Sequence, residues 1–278
     1  MNVLSPLLLI LLHTAVKAVN LPCSDPGSSS TSLSRVSDAP SGIIDRTIYV
    51  FPHICKRNNG ALDSPCHYYC DQNNNLGWQT NNNVNDTISW LGAAYAVGEL
   101  KDGTDALFML GGTSTKKNKP LDNMVYYTPK KGIVTLPPLR YGALAEAAAV
   151  YLKPNLYLIG GKNSNSYNEK VFRFDTTTLT WLTNSLTPSG TFTPRVGLSA
   201  AILNGLIVSA GGHTGTGPSS RPTATFEVLE VDRTRGEDTA LVWHSGPDMS
   251  YPRAYATMFS LNCKVYVAGG AIDNGKIE

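Results

Sequence analysis

Four apolar stretches of the chain each end in a pair of glycines, and these stretches decide the fold. They read LFMLGG (107–112), LYLIGG (156–161), LIVSAGG (206–212) and VYVAGG (265–270). The spacings between successive glycine pairs are 49, 51 and 58 residues. A period near 50 residues predicts a repeated structural unit, in which each copy buries an apolar face against the next copy.

The residues around the glycine pairs repeat as well. RVGLSAAILNGLIVSAGG from Arg195 aligns without a gap with RAYATMFSLNCKVYVAGG from Arg253, and a copy from Arg140 has four extra residues. Each copy predicts a first strand from the arginine to a turn such as Asn204-Gly205, which is a strong hairpin signal. An apolar second strand, an aromatic-rich third strand and a fourth strand with a tryptophan follow. Four antiparallel strands per unit predict a propeller blade.

The order of Gly-Gly, aromatic strand, tryptophan and arginine resembles the kelch repeat over roughly residues 88–278. The resemblance implies an all-β fold, a kelch-type β-propeller with four-stranded antiparallel blades. A phosphate-binding loop is excluded, because GGTSTKKNK (111–119) has no glycine before its lysine and no predicted helix after it. The resemblance instead implies a structural role for these motif residues: Gly111, Gly112, Gly160, Gly161, Gly211, Gly212, Gly269, Gly270, Trp181, Trp243, Arg140, Arg195 and Arg253.

The repeat divides the chain into units. The kelch units are predicted at about 88–139, 140–194, 195–252 and, in part, 253–278. A degenerate unit with cysteines and an Asn-rich loop is predicted at 43–87, after a Ser- and Pro-rich linker at 19–42 that is too polar to pack a core. Kelch propellers usually close with six or seven blades. The sequence therefore predicts either an incomplete propeller, truncated at its C-terminus, or a last blade completed by N-terminal strands.

The first 18 residues, MNVLSPLLLILLHTAVKA, predict a secretory signal peptide. Their apolar run is too short to span a bilayer, and Val16 and Ala18 are small residues at the spacing for cleavage after Ala18. A buried N-terminal helix is the alternative. The sequon at Asn85 predicts N-glycosylation in the same compartment. We expect a secreted or cell-surface protein, and a membrane anchor beyond residue 278 remains open.

Five cysteines follow the predicted signal peptide, and in a secreted chain they predict disulfides. Their odd number leaves one thiol over or implies a missing partner. HYYC (67–70) predicts a strand, which would separate the Cα atoms of Cys66 and Cys70 by roughly 13 Å, beyond the limit of about 7 Å for a disulfide. We expect them to pair with Cys55 and Cys23 instead. Cys263 aligns with Gly205, the second residue of a hairpin turn, which predicts an exposed thiol; a buried free thiol is the alternative.

Composition and histidine spacing limit the partners, metals and cofactors that the sequence predicts. Net charge is +2, and the only basic cluster, KKNK (116–119), is interpreted as a solvated loop, so no nucleic-acid partner is expected. Galactose oxidase is a secreted kelch-type enzyme whose copper needs two histidines and two tyrosines. His53, His67, His213 and His244 do not stand at paired ligand spacings, so we predict no metal and no cofactor. A galactose-oxidase-like enzyme, with ligands partly beyond residue 278, remains the alternative function.

Aromatic residues recur in the repeat and are a further candidate for a ligand platform. Because they stand in the register of the repeat, we interpret them as core residues. They are Tyr126, Tyr127, Phe172, Phe174, Trp181 and Trp243.

The remaining interpretation is a non-catalytic interaction module that binds an extracellular protein or glycan. Because neighbouring strands alternate in direction, the loop after each Gly-Gly and the loop into each arginine share one face, and such loops carry function. These loops are 113–122, 162–168, 213–225, 136–140, 183–194 and 245–252. The candidate contact residues on them are Lys116, Lys117, Tyr167, His213 and Arg221.

Overall fold

The structure, a computed structural model, describes part of the chain. The described residues are 40–45, 47–51, 55–56, 62–63, 67–71, 75–81, 90–114, 117–182, 188–215, 220–234 and 237–272. All regular structure within these ranges is β strand, and they contain no helix of the length and apolarity needed to cross a membrane. The predictions on residues 1–18, Cys23, Cys66, Asn85 and Lys116 fall outside the described residues, as do the side chains of Cys55 and Cys70.

Four sheets of four antiparallel strands follow one another along the chain. Blade 1 contains β1 (Ser41–Ile44), β2 (Thr47–Val50), β5 (His67–Asp71) and β6 (Asn75–Asn81), with a small pair β3 (Cys55–Lys56) and β4 (Leu62–Asp63) between them. Blade 2 contains β7 (Ala94–Glu99), β8 (Asp105–Leu110), β9 (Met124–Thr128) and β10 (Gly132–Thr135). Blade 3 contains β11 (Ala145–Leu152), β12 (Asn155–Lys162), β13 (Val171–Asp175) and β14 (Thr180–Trp181).

Blade 4 and the strands after it continue the pattern. Blade 4 contains β15 (Ser199–Leu203), β16 (Leu206–Ala210), β19 (Phe226–Thr234) and β20 (Glu237–Ser245), with a small pair β17 (His213–Thr214) and β18 (Arg221–Pro222). Blade 5 contributes two strands to the described residues, β21 (Thr257–Leu261) and β22 (Lys264–Ala268).

The first strands of successive blades contact one another in the order β1, β7, β11, β15 and β21. The first strands therefore line a common axis, and the other strands of each blade extend outward from it. This arrangement confirms the predicted all-β, kelch-type propeller with four-stranded antiparallel blades. Blade 1 begins at Ser41, two residues inside the segment predicted as a linker.

The continuous apolarity of the second strands follows from burial on both faces. Leu107 and Met109 of β8 pack toward blade 1 with Trp90, whereas Phe108 and Leu110 pack toward blade 3. Successive side chains of a strand point to opposite faces, so a blade between two neighbours needs apolar residues at every position.

The glycine pairs of blades 2, 3 and 4 form the joints to the next blade. A Cβ on Gly211 would lie 2.3 Å from the carbonyl oxygen of Arg253, and one on Gly111 would lie 2.1 Å from that of Leu144. The same two carbonyls accept hydrogen bonds from the second glycines, Gly212 and Gly112, at 2.9 Å each. The first glycine thus gives the neighbouring backbone room to approach, and the second holds it there.

The arginines that precede the first strands of blades 4 and 5 contact the glycine pairs. Arg195 is fully buried, and its Nε donates to the carbonyl of Gly211 at 2.7 Å. The Arg253 guanidinium makes the corresponding bond to Gly269 at 2.5 Å. In blade 3 the equivalent residue is Leu144, whose carbonyl occupies the joint. Arg140, predicted for that position, is exposed in the preceding loop, because the four extra residues shift it out of register.

A carboxylate within blade 4 neutralises the buried arginine. The Arg195 guanidinium donates to Glu227 Oε2 and to Ser209 Oγ at 3.1 Å. Glu227 is only 3% exposed, and its second oxygen accepts the Thr193 backbone N–H at 2.9 Å. Because both charges are paired and hydrogen-bonded, their burial is tolerated.

The turn between β21 and β22 confirms the predicted place of one cysteine. Asn262 and Cys263 have φ values of 51° and 57°, matching 50° at Asn204 and 81° at Gly205. The Cys263 thiol is free and exposed, so the alternative of a buried thiol is wrong. A cysteine side chain is held in the left-handed region at this position, where glycine fits more easily.

A buried aspartate joins blades 3 and 4 at the opposite end of the propeller. The fully buried carboxylate of Asp238 accepts hydrogen bonds from Arg173 and Arg233, both at 2.9 Å. It also accepts from the Tyr157 hydroxyl at 2.6 Å and the Asn155 amide at 3.2 Å. Tyr157, Asn155 and Arg173 belong to blade 3, so one carboxylate of blade 4 binds three residues of its neighbour.

Burial and hydrogen bonding act in opposite directions on this carboxylate. Burial raises the pKa of Asp238, but hydrogen bonds from Tyr157 and Arg173 and the charge of Arg233 outweigh it, so the pKa lies below its ordinary value. Burial, together with the bond to Asp238, raises the pKa of Tyr157 to about 12. Both groups therefore keep the protonation states that this cluster requires at neutral pH.

We predict that Gly211→Ala destabilises the fold by about 3 kcal/mol, because it adds a clash with the neighbouring carbonyl to the cost of positive φ. Gly205→Ala is the matched control. Gly205 also has positive φ, but no atom lies within 4 Å of its added Cβ, so about 1 kcal/mol is expected. Urea unfolding of both variants measures the difference. Equal losses would contradict the role of the glycine pair as a joint.

We predict that Asp238→Asn lowers the free energy of unfolding at pH 7 by about 3 kcal/mol, because it removes the charge of a buried carboxylate that accepts hydrogen bonds from Arg173 and Arg233. Because the pKa of Asp238 is lower in the folded protein than the ordinary value of 3.8, the ionised carboxylate stabilises the fold fully at pH values above 3.8. This stabilisation is lost as the pH falls through the folded pKa. The difference between variant and wild type should therefore shrink below about pH 4. Exposed Asp232→Asn on the same hairpin is the control, with an expected change within about 0.5 kcal/mol.

Candidate functional site

One end of the propeller collects the loops that follow the glycine pairs and the loops that enter each first strand. In blades 3, 4 and 5 the residue after Gly-Gly pairs with the residue that follows the arginine position of the same blade, as in Ala145 with Lys162, Val196 with His213 and Ala254 with Ala271. Both sets of loops therefore share one face, as the alternation of strand direction predicts. We call the surface formed by residues 113–122, 136–144, 162–168, 188–194, 213–225 and 245–252 the Gly-Gly face, of which the structure describes all but 115–116 and 216–219.

A chain of backbone hydrogen bonds runs around the axis at this face. The N–H of Glu146 donates to Gly92 O at 2.7 Å, that of Gly197 to Glu146 O at 2.9 Å, and that of Tyr255 to Gly197 O at 2.7 Å. All four residues have positive φ, between 55° and 63°. They are equivalent positions of blades 2 to 5, two residues after the arginine position. Side chains at this position are therefore placed close to the axis.

The side chains of Glu146 and Tyr255 form a polar cluster there. Glu146 Oε2 accepts a hydrogen bond from the Tyr255 hydroxyl at 2.6 Å, and its Oε1 lies 2.6 Å from Lys162 Nζ. The Glu146 side chain is 17% exposed and that of Lys162 is 40% exposed. The cluster joins blade 3 to blade 5 across blade 4 and presents a lysine to solvent.

Gly197 of blade 4 leaves the space that this cluster needs. A Cβ at Gly197 would lie 2.5 Å from Cε1 of Tyr255, so any larger residue would displace the ring. The tyrosine can then reach over blade 4 to Glu146. A glycine at this position therefore couples two blades that are not neighbours in the sequence.

Two predicted contact residues lie beside this cluster. The His213 ring lies 5.5 Å from the Tyr255 ring, and the Tyr167 hydroxyl donates to the carbonyl of Gly215. The loop after Gly-Gly in blade 3 thereby contacts the corresponding loop in blade 4. The structure brings Tyr167 and His213 together with Glu146, Lys162 and Tyr255 on one surface.

The other predicted contact residues lie farther from the axis. Lys117 is exposed on the loop of blade 2, and Arg221 is exposed on β18, where its backbone pairs with Thr214. The structure does not bring either of them into contact with Glu146. Both side chains carry a positive charge on the Gly-Gly face.

The predicted contact residues do not include Glu146, Lys162 or Tyr255, although Lys162 lies in the predicted loop 162–168. A charged residue within the otherwise apolar ALAEAAAV (143–150) is the signal that could have identified Glu146. Tyr255 aligns with Gly197 in the gapless repeat alignment. A change from glycine to a large polar residue at one repeat position indicates that the side chain there is not part of the repeated core. Lys162 directly follows the glycine pair of blade 3, at the position equivalent to His213, and this position is the signal that could have identified it.

The aromatic residues predicted as core are buried, with one exception. Tyr126, Phe174 and Trp181 pack between blades 2 and 3, Trp243 packs between blades 3 and 4, and Tyr127 packs against blade 1. Phe172 is only partly buried, and its ring stacks under Tyr141 at 4.5 Å. Tyr141 is 42% exposed on the Gly-Gly face.

The described histidine side chains lie in separate surroundings. His213 packs near the axis, whereas His244 lies on the outermost strand of blade 4 with its Nε2 3.0 Å from Glu230 Oε2. Across the ranges that the structure describes, no group of three or more His, Cys, Asp or Glu side chains is arranged to hold a metal ion. His53 and the side chain of His67 lie outside those ranges.

Comparisons with known proteins agree with this geometry. The Kelch motif matches residues 143–183, the segment that forms blade 3. A solved structure titled "Structure of YjhT" superposes with a TM-score of 0.69 at 17% sequence identity, over 86% of this chain and 78% of that chain. No curated protein matches the chain by sequence. The shared fold and the motif together show that this chain folds as a β-propeller and carries a kelch motif in blade 3.

Proposed function

We propose that the chain is a secreted or cell-surface propeller that binds an extracellular protein or glycan through the Gly-Gly face and catalyses no reaction. Propellers serve both as binding modules and as enzymes, so the function has to be argued from the site. The observation that carries this proposal is the linkage of loops from three blades into one surface.

That surface is held in place before any ligand arrives. Both oxygens of Glu146 have partners, Lys162 and Tyr255, and the Tyr167 hydroxyl fixes the loop of blade 4 through Gly215. Rigid loops lose less conformational entropy on binding than mobile ones, which favours affinity. The arrangement supports a preformed recognition surface.

The groups on this surface are suited to recognition by hydrogen bonds and charge. Lys117, Lys162 and Arg221 supply donors around the tyrosine hydroxyls, and Glu146 is already neutralised by its own lysine. A neutralised carboxylate with both oxygens engaged serves a positioning role better than a proton-transfer role. These features favour binding over acid–base chemistry at the axis.

We predict that charge reversal on the Gly-Gly face, Lys117→Glu combined with Arg221→Glu, weakens partner binding at least tenfold, because cations at the rim lose their attraction for polar ligand groups. The probe is a panel of immobilised ectodomains and extracellular glycans, measured by surface plasmon resonance. Lys130→Glu, on the hairpin at the opposite end, is the matched control and should stay within twofold of wild type. Comparable losses in both variants would place the partner elsewhere on the propeller.

The proposed compartment has its own test. Expressed in eukaryotic cells from Met1, the chain should appear in the medium with Val19 as its first residue and should carry one N-glycan that Asn85→Gln removes. Mass spectrometry of the secreted protein measures both. Retention in the cell with residues 1–18 intact would contradict the proposed secretion.

A further inference from the structure

The outer edge of β22 has no neighbouring strand among the described residues. The second strands of blades 2, 3 and 4 each pair with a strand on either side, whereas β22 pairs with β21 alone within residues 237–272, which the structure describes without a gap. Exposure differs accordingly: Tyr266 of β22 is 41% exposed, and Val208 at the equivalent position of β16 is 1% exposed. An unpaired edge is a template on which a further extended strand can add.

The repeat shows what lies at this edge in a four-stranded blade. In blade 4 the third strand, β19, occupies the edge, and Glu227 of β19 stands opposite Ser209 of β16. The Glu227 carboxylate accepts a hydrogen bond from the Arg195 guanidinium, which also donates to Ser209 Oγ at 3.1 Å. The strand at this edge thus supplies the negative charge that neutralises the arginine of its own blade.

Blade 5 has the corresponding arginine without these partners. Arg253 aligns with Arg195, and Val267 aligns with Ser209, so the hydroxyl that Arg195 uses is missing. Among the described residues, the structure gives the Arg253 guanidinium one hydrogen bond, to the carbonyl of Gly269 at 2.5 Å. A guanidinium presents several N–H donors in a fork that matches a carboxylate. Arg253 therefore has donors available for a carboxylate on an incoming strand.

We propose that the outer edge of β22 binds an extended segment of a partner protein, with a Glu or Asp side chain opposite Val267 and paired with Arg253. Backbone hydrogen bonds to β22 give affinity, and the carboxylate fixes the register. The segment carries an apolar residue two positions after the acidic one, because Leu229 follows Glu227 on the same face of β19 and is fully buried. This inference goes beyond the proposed function, because the edge of β22 lies outside the Gly-Gly face.

The probe is a labelled synthetic peptide with the sequence of residues 224–232, ATFEVLEVD, which contains this pattern. We expect the full chain to bind it in a fluorescence anisotropy titration. A Glu227→Gln peptide should bind at least about fivefold more weakly, because the charge-assisted hydrogen bonds to Arg253 are lost. A Glu230→Gln peptide is the matched control and should stay within about twofold, since that side chain lies on the opposite face of the strand. Both changes are in the peptide and leave the fold of the protein untouched. Arg253→Gln in the protein should reproduce the loss.

Methylation of the peptide backbone tests the pairing itself. In blade 4 the Gly211 N–H donates to the carbonyl of Thr225 in β19, and alternate residues of an antiparallel strand face the same neighbour. The backbone N–H at Leu229 therefore faces β16, and that at Val228 faces away from it. An N-methyl group at Leu229 should abolish binding to β22, whereas one at Val228 should leave it.

Three results would overturn the inference. No binding of the peptide by the full chain would leave the edge to residues of the chain itself. Equal losses for the Glu227→Gln and Glu230→Gln peptides would reduce the interaction to general charge attraction. Self-association of the chain that the peptide does not reverse would assign the edge to a second copy. The combined Lys117→Glu and Arg221→Glu variant changes the Gly-Gly face alone and should bind the peptide as wild type does, so the proposed function and this inference can fail separately.

Discussion

The contact on which the rest of the propeller depends is a backbone carbonyl seated against a glycine pair. At each joint the carbonyl of the residue before a first strand approaches the first glycine too closely for any side chain, and it accepts the N–H of the second. Hydrogen bonding between backbone groups then holds neighbouring blades together at the ends of the second strands. Apolar packing between blades adds stability, but this joint sets their register.

The axial cluster is a consequence of the same joint. Because every joint fixes the start of a first strand, the residue two positions later comes to the same height beside the axis in each blade. Glu146 and Tyr255 meet there although 109 residues separate them, and the lack of a side chain at Gly197 lets them do so. The recognition surface that we propose is thus built on scaffold geometry and needs few dedicated contacts.

The fold could be predicted from the sequence because its signals are local and repeated. Glycine pairs, alternating strands and the turn at Asn262-Cys263 each depend on neighbouring residues, and the structure has them as predicted. The site could be predicted only in part. Tyr167, His213 and Lys162 follow glycine pairs on loops that the repeat predicts, whereas the contact between Glu146 and Tyr255 depends on how blades 3, 4 and 5 are placed. The buried Asp238 cluster depends on a contact between blades that no spacing within one repeat encodes.

Leu144 in place of an arginine has a consequence for how such a repeat can diverge. Since the joint is formed by main-chain atoms, the side chain at that position can change completely while the neighbouring blades keep their relative placement. A repeat can therefore lose its sequence signature one residue at a time and remain a blade, and the loop in front of it can lengthen or exchange residues independently. Side chains on the face where partners would bind can therefore change, because the contacts that fix the blades are made by main-chain atoms, which every amino acid has.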